Sequence, residues 1–126
     1  MNFPENLKYT KDHEWLRVEG NVGVIGITDY AQGELGDIVF VELPAVGKAV
    51  KQMEAFGTIE AVKAVSEMFS PVSGVVKEIN TKLEKDSTVI NKDPYGAGWL
   101  IKVEKFNAAE INSLLDAATY RKLLED

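Results

Sequence analysis

Two short runs rich in Val, Ile, Leu and Trp, residues 13–18 and 22–27, read as strands, and Glu19-Gly20-Asn21 between them supplies residues that tolerate the positive φ of a tight turn. A hairpin near Gly20 is predicted. Thr28 and Asp29 then carry an N-cap signal and Gly36 a stop, which bounds a helix of about two turns near residue 30. Strand signals resume over residues 37–43 and end at Pro44. Further short strands are predicted at 49–53, 56–62, 64–69 and 74–79, with Pro71 and Gly74 punctuating the last pair. A polar connector, 80–94, leads to a final strand at 99–103. Beyond Phe106 the period changes to that of a helix: Asn107 with Glu110 three residues on forms a capping-box pattern, followed by Ile111, Leu114 and Leu115. Asp116 can cap a second helical stretch, 117–124.

Many short strands with frequent turns and a helical tail predict a mainly β fold, a barrel or sandwich. The length of 126 residues, 45% of them hydrophobic, suits one domain over residues 1–126 with a real core. The formal charge of −6, with no dense run among the 14 Lys and Arg residues, argues against nucleic acid or an anionic membrane as partner. The absence of cysteine removes disulfides, thiolate metal sites and a cysteine nucleophile. No apolar run reaches the ~20 residues of a membrane span, and the first six residues lack a signal or transit pattern. A cytoplasmic location is expected, or the mitochondrial matrix if a presequence has been removed.

The chemistry centres on Lys63, which interrupts the strand-like stretch from Gly57 to Glu67. A lysine breaking such a pattern is a displayed side chain, and its ε-amine is a nucleophile that an acyl-transferring enzyme can convert to an amide. Read by itself it is an ordinary surface charge, a solvated face or an edge protector. Its surroundings carry more: Glu60 lies three residues before it, Gly47 sixteen before, Ala64 directly after, and Gly74, closing Ser70-Pro71-Val72-Ser73-Gly74, eleven after.

This spacing resembles lipoyl-attachment domains. The resemblance is closest to the H proteins of the glycine cleavage system and covers nearly the whole chain. It is carried by His13-Glu14-Trp15-Leu16, Gly26 to Gln32, Leu35 to Pro44, Glu60 to Ala64, Ser70 to Gly74 and Pro94 to Trp99, six blocks in the family's order. Where the family usually has Glu-Ser-Val before its lysine, this chain has Ala61 in place of the serine. Domains of 2-oxoacid dehydrogenases usually carry Asp before the lysine, and biotin carriers carry Met on both sides, where this chain has Val62 and Ala64.

The resemblance implies a barrel-sandwich hybrid of the lipoyl/biotinyl type, with a lipoyl-like core at about 22–104, a short helix near residue 30 and a C-terminal helical segment at about 107–125. It implies a carrier without catalytic or metal-binding residues of its own. Lipoate would be attached by an amide to Lys63. Gly47, Glu60, Val62, Ala64 and Gly74 would form the turn and the recognition surface for a lipoylating enzyme. The arm would take an aminomethyl group from the pyridoxal-phosphate enzyme glycine decarboxylase, present it to aminomethyltransferase, and be reoxidised by dihydrolipoamide dehydrogenase. Glu14 and Glu67 are possible contacts of the docked arm; a solvated carboxylate is the alternative for each. A monomer docking transiently to several enzymes is expected. Two rivals remain, an H-like protein that relays lipoyl groups to other complexes and an unmodified β-barrel interaction module. His13 and Glu14, adjacent on a strand, should point to opposite faces and form no acid–base pair.

Overall fold

A computed structural model describes residues 1–125. The chain runs β1 (Lys8–Tyr9), β2 (Glu14–Glu19), β3 (Val22–Ile27), α1 (Asp29–Leu35), β4 (Ile38–Glu42), β5 (Ala49–Val50), β6 (Ala55–Ala61), β7 (Val65–Phe69), β8 (Gly74–Ile79), α2 (Val89–Lys92), β9 (Ile101–Glu104) and α3 (Ala117–Glu125). Two antiparallel sheets form, one of six strands in the order β1-β2-β3-β9-β8-β5 and one of three in the order β4-β6-β7. The architecture is mainly β, the barrel-sandwich expected of a lipoyl-type domain. β1 and β2 lie outside the expected 22–104 core, yet they extend the same large sheet.

The main core holds inward side chains of both sheets, including Ile25, Ile59, Met68, Val76 and Ile101. The alternation on β3 explains a second core. Ile25 and Ile27 belong to the first cluster, while Val24 points the other way, to a cluster of Phe3, Leu7, Tyr9, Trp15 and the α3 residues Ala117 and Tyr120. Tyr9 and Tyr120 stack there, with ring centroids 4.8 Å apart and planes within 4°. The C-terminal helix therefore covers the outer face of the large sheet.

Local signals shaped the elements much as expected at α1: Thr28 accepts the Ala31 N–H through its side chain, and Gly36 ends the helix at φ 77. The strand at 37–43 departs from simple alternation because a register shift between Ile38 and Phe40 leaves both Val39 and Phe40 outward. The polar connector is more ordered than predicted, containing a 3₁₀ turn at Thr81–Glu84 and α2. Asn91 of α2 donates to the Gly36 and Gln32 side of α1 (2.8 Å to Gly36 O, 3.0 Å to Gln32 Oε1) and accepts the Ile38 N–H at 3.0 Å. One side chain thus ties the end of α1 to the start of β4.

The C-terminal segment corrects the predicted capping box. Asn107 does cap, accepting the Ala109 N–H, but the following turn, Ala108–Ser113, is 3₁₀. Glu110 does not reach back to Asn107. Its carboxylate accepts from the Ser73 N–H (2.6 Å) and the Ser73 hydroxyl (2.9 Å), tying this turn to the loop before β8. Leu115 is no helix residue either, exchanging two backbone hydrogen bonds of 2.8 Å with Tyr9, and Leu123 is exposed. Asp116 caps α3 as predicted, accepting the Thr119 N–H at 2.8 Å. Glu110→Ala removes both bonds to Ser73 and is expected to lower stability by about 1–2 kcal/mol, read as a shifted urea midpoint; an unchanged midpoint would rule out a structural role for this contact.

Candidate functional site

The β6 and β7 strands are joined by the three residues Val62, Lys63 and Ala64. The Ala61 N–H bonds to Ala64 O at 2.7 Å and closes this turn, and the Val62 N–H bonds to Asp37 O at 3.1 Å and fastens it to the base of β4. Lys63 is therefore not inside a strand, as its flanking pattern suggested, but at the tip of a tight hairpin, where it is exposed. The tip is held by backbone bonds on two sides, so freedom resides in the lysine stem. That stem lies across Gly36: a Cβ built there would come within 3.2 Å of Lys63 Cε. Gly36 thus serves twice, as the positive-φ end of α1 and as room for the lysine.

Ala64, like Val62 and Lys63, is exposed, and Glu60 is exposed on β6. Pairing aligns Phe40 of β4, Glu60 of β6 and Val65 of β7 in one row across the small sheet. Because paired residues share a face, an acidic group sits between apolar neighbours beside the lysine. Val62 is 77% exposed and Val65 68%, which makes the hairpin end an apolar display with carboxylates around it.

Gly47 and Gly74 are not brought to this hairpin. They belong to the other sheet, where the Gly47 N–H bonds to Val76 O at 2.7 Å and Gly74 pairs with Val50. Gly47 adopts φ 94, a conformation that favours glycine. Gly74 is small for a different reason, since a Cβ there would meet Glu104 O at 3.0 Å. Both glycines shape the scaffold opposite the lysine.

Beside the hairpin lies a cleft of about 280 Å³ between the turn before β2, helix α1 and strand β7. Ile27, Leu35, Ile59 and Met68 give it an apolar floor, and Asp12, Glu14, Glu34, Ser66 and Glu67 give it oxygen atoms. Glu14 and Glu67, distant in sequence, are brought to the same cleft. Asp12, Tyr30, Glu34 and Ser66 join them unannounced by any pattern, because the turn, helix and strand that carry them meet only through sheet pairing.

Glu14 is not a solvated strand carboxylate: it is 2% exposed. Its Oε1 accepts from the Thr10 hydroxyl at 2.5 Å and its Oε2 from the Phe69 N–H at 3.1 Å, so one carboxyl bridges the large sheet to the small one. The turn that aims it is compact. Thr10 N–H donates to Glu14 O, His13 N–H to Thr10 O, and His13 adopts φ 74 to close it. Burial raises the Glu14 carboxyl to about 7, against the opposing pull of its two hydrogen bonds.

His13 and Glu14 form no pair, as expected. The His13 Nδ1 is hydrogen-bonded to the Tyr120 hydroxyl at 2.8 Å, and that hydroxyl to Thr28 Oγ1 at 2.8 Å. Burial lowers the His13 pKa, which keeps the imidazole neutral at neutral pH. Among the described residues no group of three or more His, Asp and Glu side chains is arranged to hold a metal ion, and no helix is long and apolar enough to cross a membrane.

Comparison with known proteins agrees with this geometry. The family model of the glycine cleavage H-protein matches residues 7–126. A glycine cleavage system H protein of Symbiobacterium thermophilum is 59% identical over 119 residues, covering 94% of this chain and 93% of its own length. Its counterpart in Bacteroides fragilis is 55% identical over 124 residues, 98% of each chain. The crystal structure of a glycine cleavage system H protein from Mycobacterium marinum superposes with a TM-score of 0.89 at 38% identity, over 98% of this chain and 100% of that one. The chain belongs to the glycine cleavage H-protein family.

Proposed function

We propose that this chain carries lipoate as an amide on Lys63 and receives the loaded end of the arm in the adjoining cleft. As a family member it is a lipoyl carrier of the glycine cleavage system and not an enzyme. Its partners are glycine decarboxylase, aminomethyltransferase and dihydrolipoamide dehydrogenase. The observation that carries the assignment of the site is Lys63 itself, an exposed amine on a tip that backbone bonds hold rigid.

The residues fit the group. The lysine stem has space over Gly36, and the neighbouring cleft offers an apolar floor for a dithiolane and carboxylates for a cationic end. When bound, lipoate would supply a disulfide that can take up an aminomethyl group on one sulfur as the S–S bond is reduced, and be reoxidised from the dithiol once that group is passed on. What the protein contributes is positional. A rigid tip with a flexible arm keeps the reactive end at effective concentrations on the order of mM at a docked enzyme. Glu14 and Glu67 can pair with an ammonium, and the buried setting of Glu14 strengthens that pairing. Glu60 beside the tip, together with Val62 and Ala64, is the surface we assign to the lipoylating enzyme. A single carrier domain, monomeric and cytoplasmic, completes the reading.

The test is reconstitution. Lipoylated protein mixed with the three partner enzymes should support glycine-dependent release of CO₂, and the unlipoylated protein should not. Failure of the lipoylated protein in that assay, coupled with transfer of its lipoyl group to a 2-oxoacid dehydrogenase domain, would instead mark a lipoyl relay. Glu60→Ala should slow lipoylation by about tenfold, the effect of losing roughly 1.4 kcal/mol of a charged contact, followed by mass spectrometry over time.

A further inference from the structure

The Thr10 hydroxyl has one hydrogen to give and two lone pairs to accept with. Both lone pairs face donors that cannot turn away, the backbone N–H groups of Asp12 at 3.2 Å and Glu14 at 3.1 Å. Its hydrogen is left for Glu14 Oε1 at 2.5 Å. Thr10 is 3% exposed and Glu14 2%, so water does not substitute for this bond. The other carboxyl oxygen accepts the Phe69 N–H, another fixed donor. Both donors therefore favour the ionised carboxylate, and Thr10 cannot rotate to accept a proton from a neutral one.

We propose that Thr10 is a positioning residue of the cleft: its hydroxyl, oriented by two backbone amides, holds Glu14 as an anion aimed so that the carboxylate can retain a cationic ammonium at the end of the arm. This rests on reading the cleft as the arm's receiving site. The charge balance is simple. An ammonium enters as a cation and Glu14 meets it as an anion, and if Glu14 enters the encounter protonated it releases that proton to solvent. Burial opposes ionisation, and the Thr10 bond is the largest of the contacts that counter it. The other titratable groups that line the cleft with this carboxyl are Asp12 and His13 on its own turn, Tyr30 and Glu34 on α1 and Glu67 on β7, and Tyr120 on α3 lies close enough to interact with its charge. Asp12 opposes ionisation through its charge.

Thr10→Val keeps the shape and removes the hydroxyl, and Thr10→Ser restores it. In the full-length protein, with glutamate carboxyl carbons labelled with ¹³C, the Glu14 titration midpoint is followed by NMR. Thr10→Val should raise it by about one pH unit or more, and Thr10→Ser should leave it where the wild type has it. The second readout is docking of the aminomethyl-loaded arm, followed as the shifts of the Ser66 and Glu67 amides between pH 5.5 and 8.5. Docking should rise with pH through the Glu14 midpoint and move upward with it in Thr10→Val. An unchanged midpoint in a folded Thr10→Val protein overturns the role of Thr10. Should Thr10→Val fail to fold, a Thr10→Ser midpoint displaced as far as one pH unit overturns it too, because the hydroxyl is then not what sets the charge. Glu14→Gln separates the two claims: if it leaves arm docking unaltered, the reading of the cleft fails; if it weakens docking while Thr10→Val does not, only the Thr10 inference fails.

Discussion

Lys63→Arg is expected to abolish lipoylation completely. Intact-mass analysis after co-expression with a lipoylating enzyme should show one added lipoyl group on the wild type and none on the variant. Arginine keeps the positive charge but has no amine that can be acylated at neutral pH, since its guanidinium stays protonated. Folding should be unaffected, because Lys63 is exposed and its backbone bonds belong to its neighbours. Loss of the added mass with an unchanged unfolding midpoint therefore isolates chemistry from stability. A modified variant, or a wild type that gains no mass, would remove Lys63 as the anchor. The eleven other lysines supply the internal control, since none stands on the turn between β6 and β7.

The second large effect is on stability against pH. Folding raises the Glu14 carboxyl from its ordinary 4.5 to about 7. A carboxyl with a raised folded-state pKa favours the fold while it is protonated in both states, below about 4.5. Its contribution declines as the unfolded chain ionises first, and is lost once pH has passed the folded value of about 7. The total is on the order of 3 kcal/mol. Urea unfolding of wild type and Glu14→Gln across pH 4.5–8.5 should give curves that converge or cross. Wild type loses stability relative to the variant as pH rises to about 7 and runs parallel to it above about 8. Parallel curves throughout would show that Glu14 ionises as freely in the fold as in the unfolded chain. The protein thus gives up stability at physiological pH to keep a carboxylate in a cleft, as sites built for charge recognition commonly do.

Most strands and α1 could be read from the chain because their determinants are local. Thr28 and Gly36 bound α1 by bonds within a few residues, and the β2–β3 turn at Gly20 needs only the φ of 62 that glycine permits. The lysine could be singled out as an interruption, although the hairpin that made it a tip needed the pairing of Glu60 with Val65. What stayed hidden depended on contacts between distant segments. Nothing near Glu110 signals Ser73, 37 residues away, as its partner. Nothing in His13-Glu14 signals that Phe69 will bury the carboxylate. A period of two likewise cannot foresee the register shift that turns both Val39 and Phe40 outward, since a bulge answers to the partner strand.

Asn91 has a consequence for motion. Its side chain is the shared partner of Gly36 O, Gln32 Oε1 and the Ile38 N–H, so the connector, the end of α1 and the root of β4 cannot open independently. Local unfolding of the connector should release all three at once, as one cooperative unit. In hydrogen–deuterium exchange, the Ile38 and Gly36 amides should then share a single opening free energy with the Asp93 amide of the connector, and Asn91→Ala should lower all three together. The platform under the lysine would wobble on the timescale of a segment that touches neither the lysine nor its cleft.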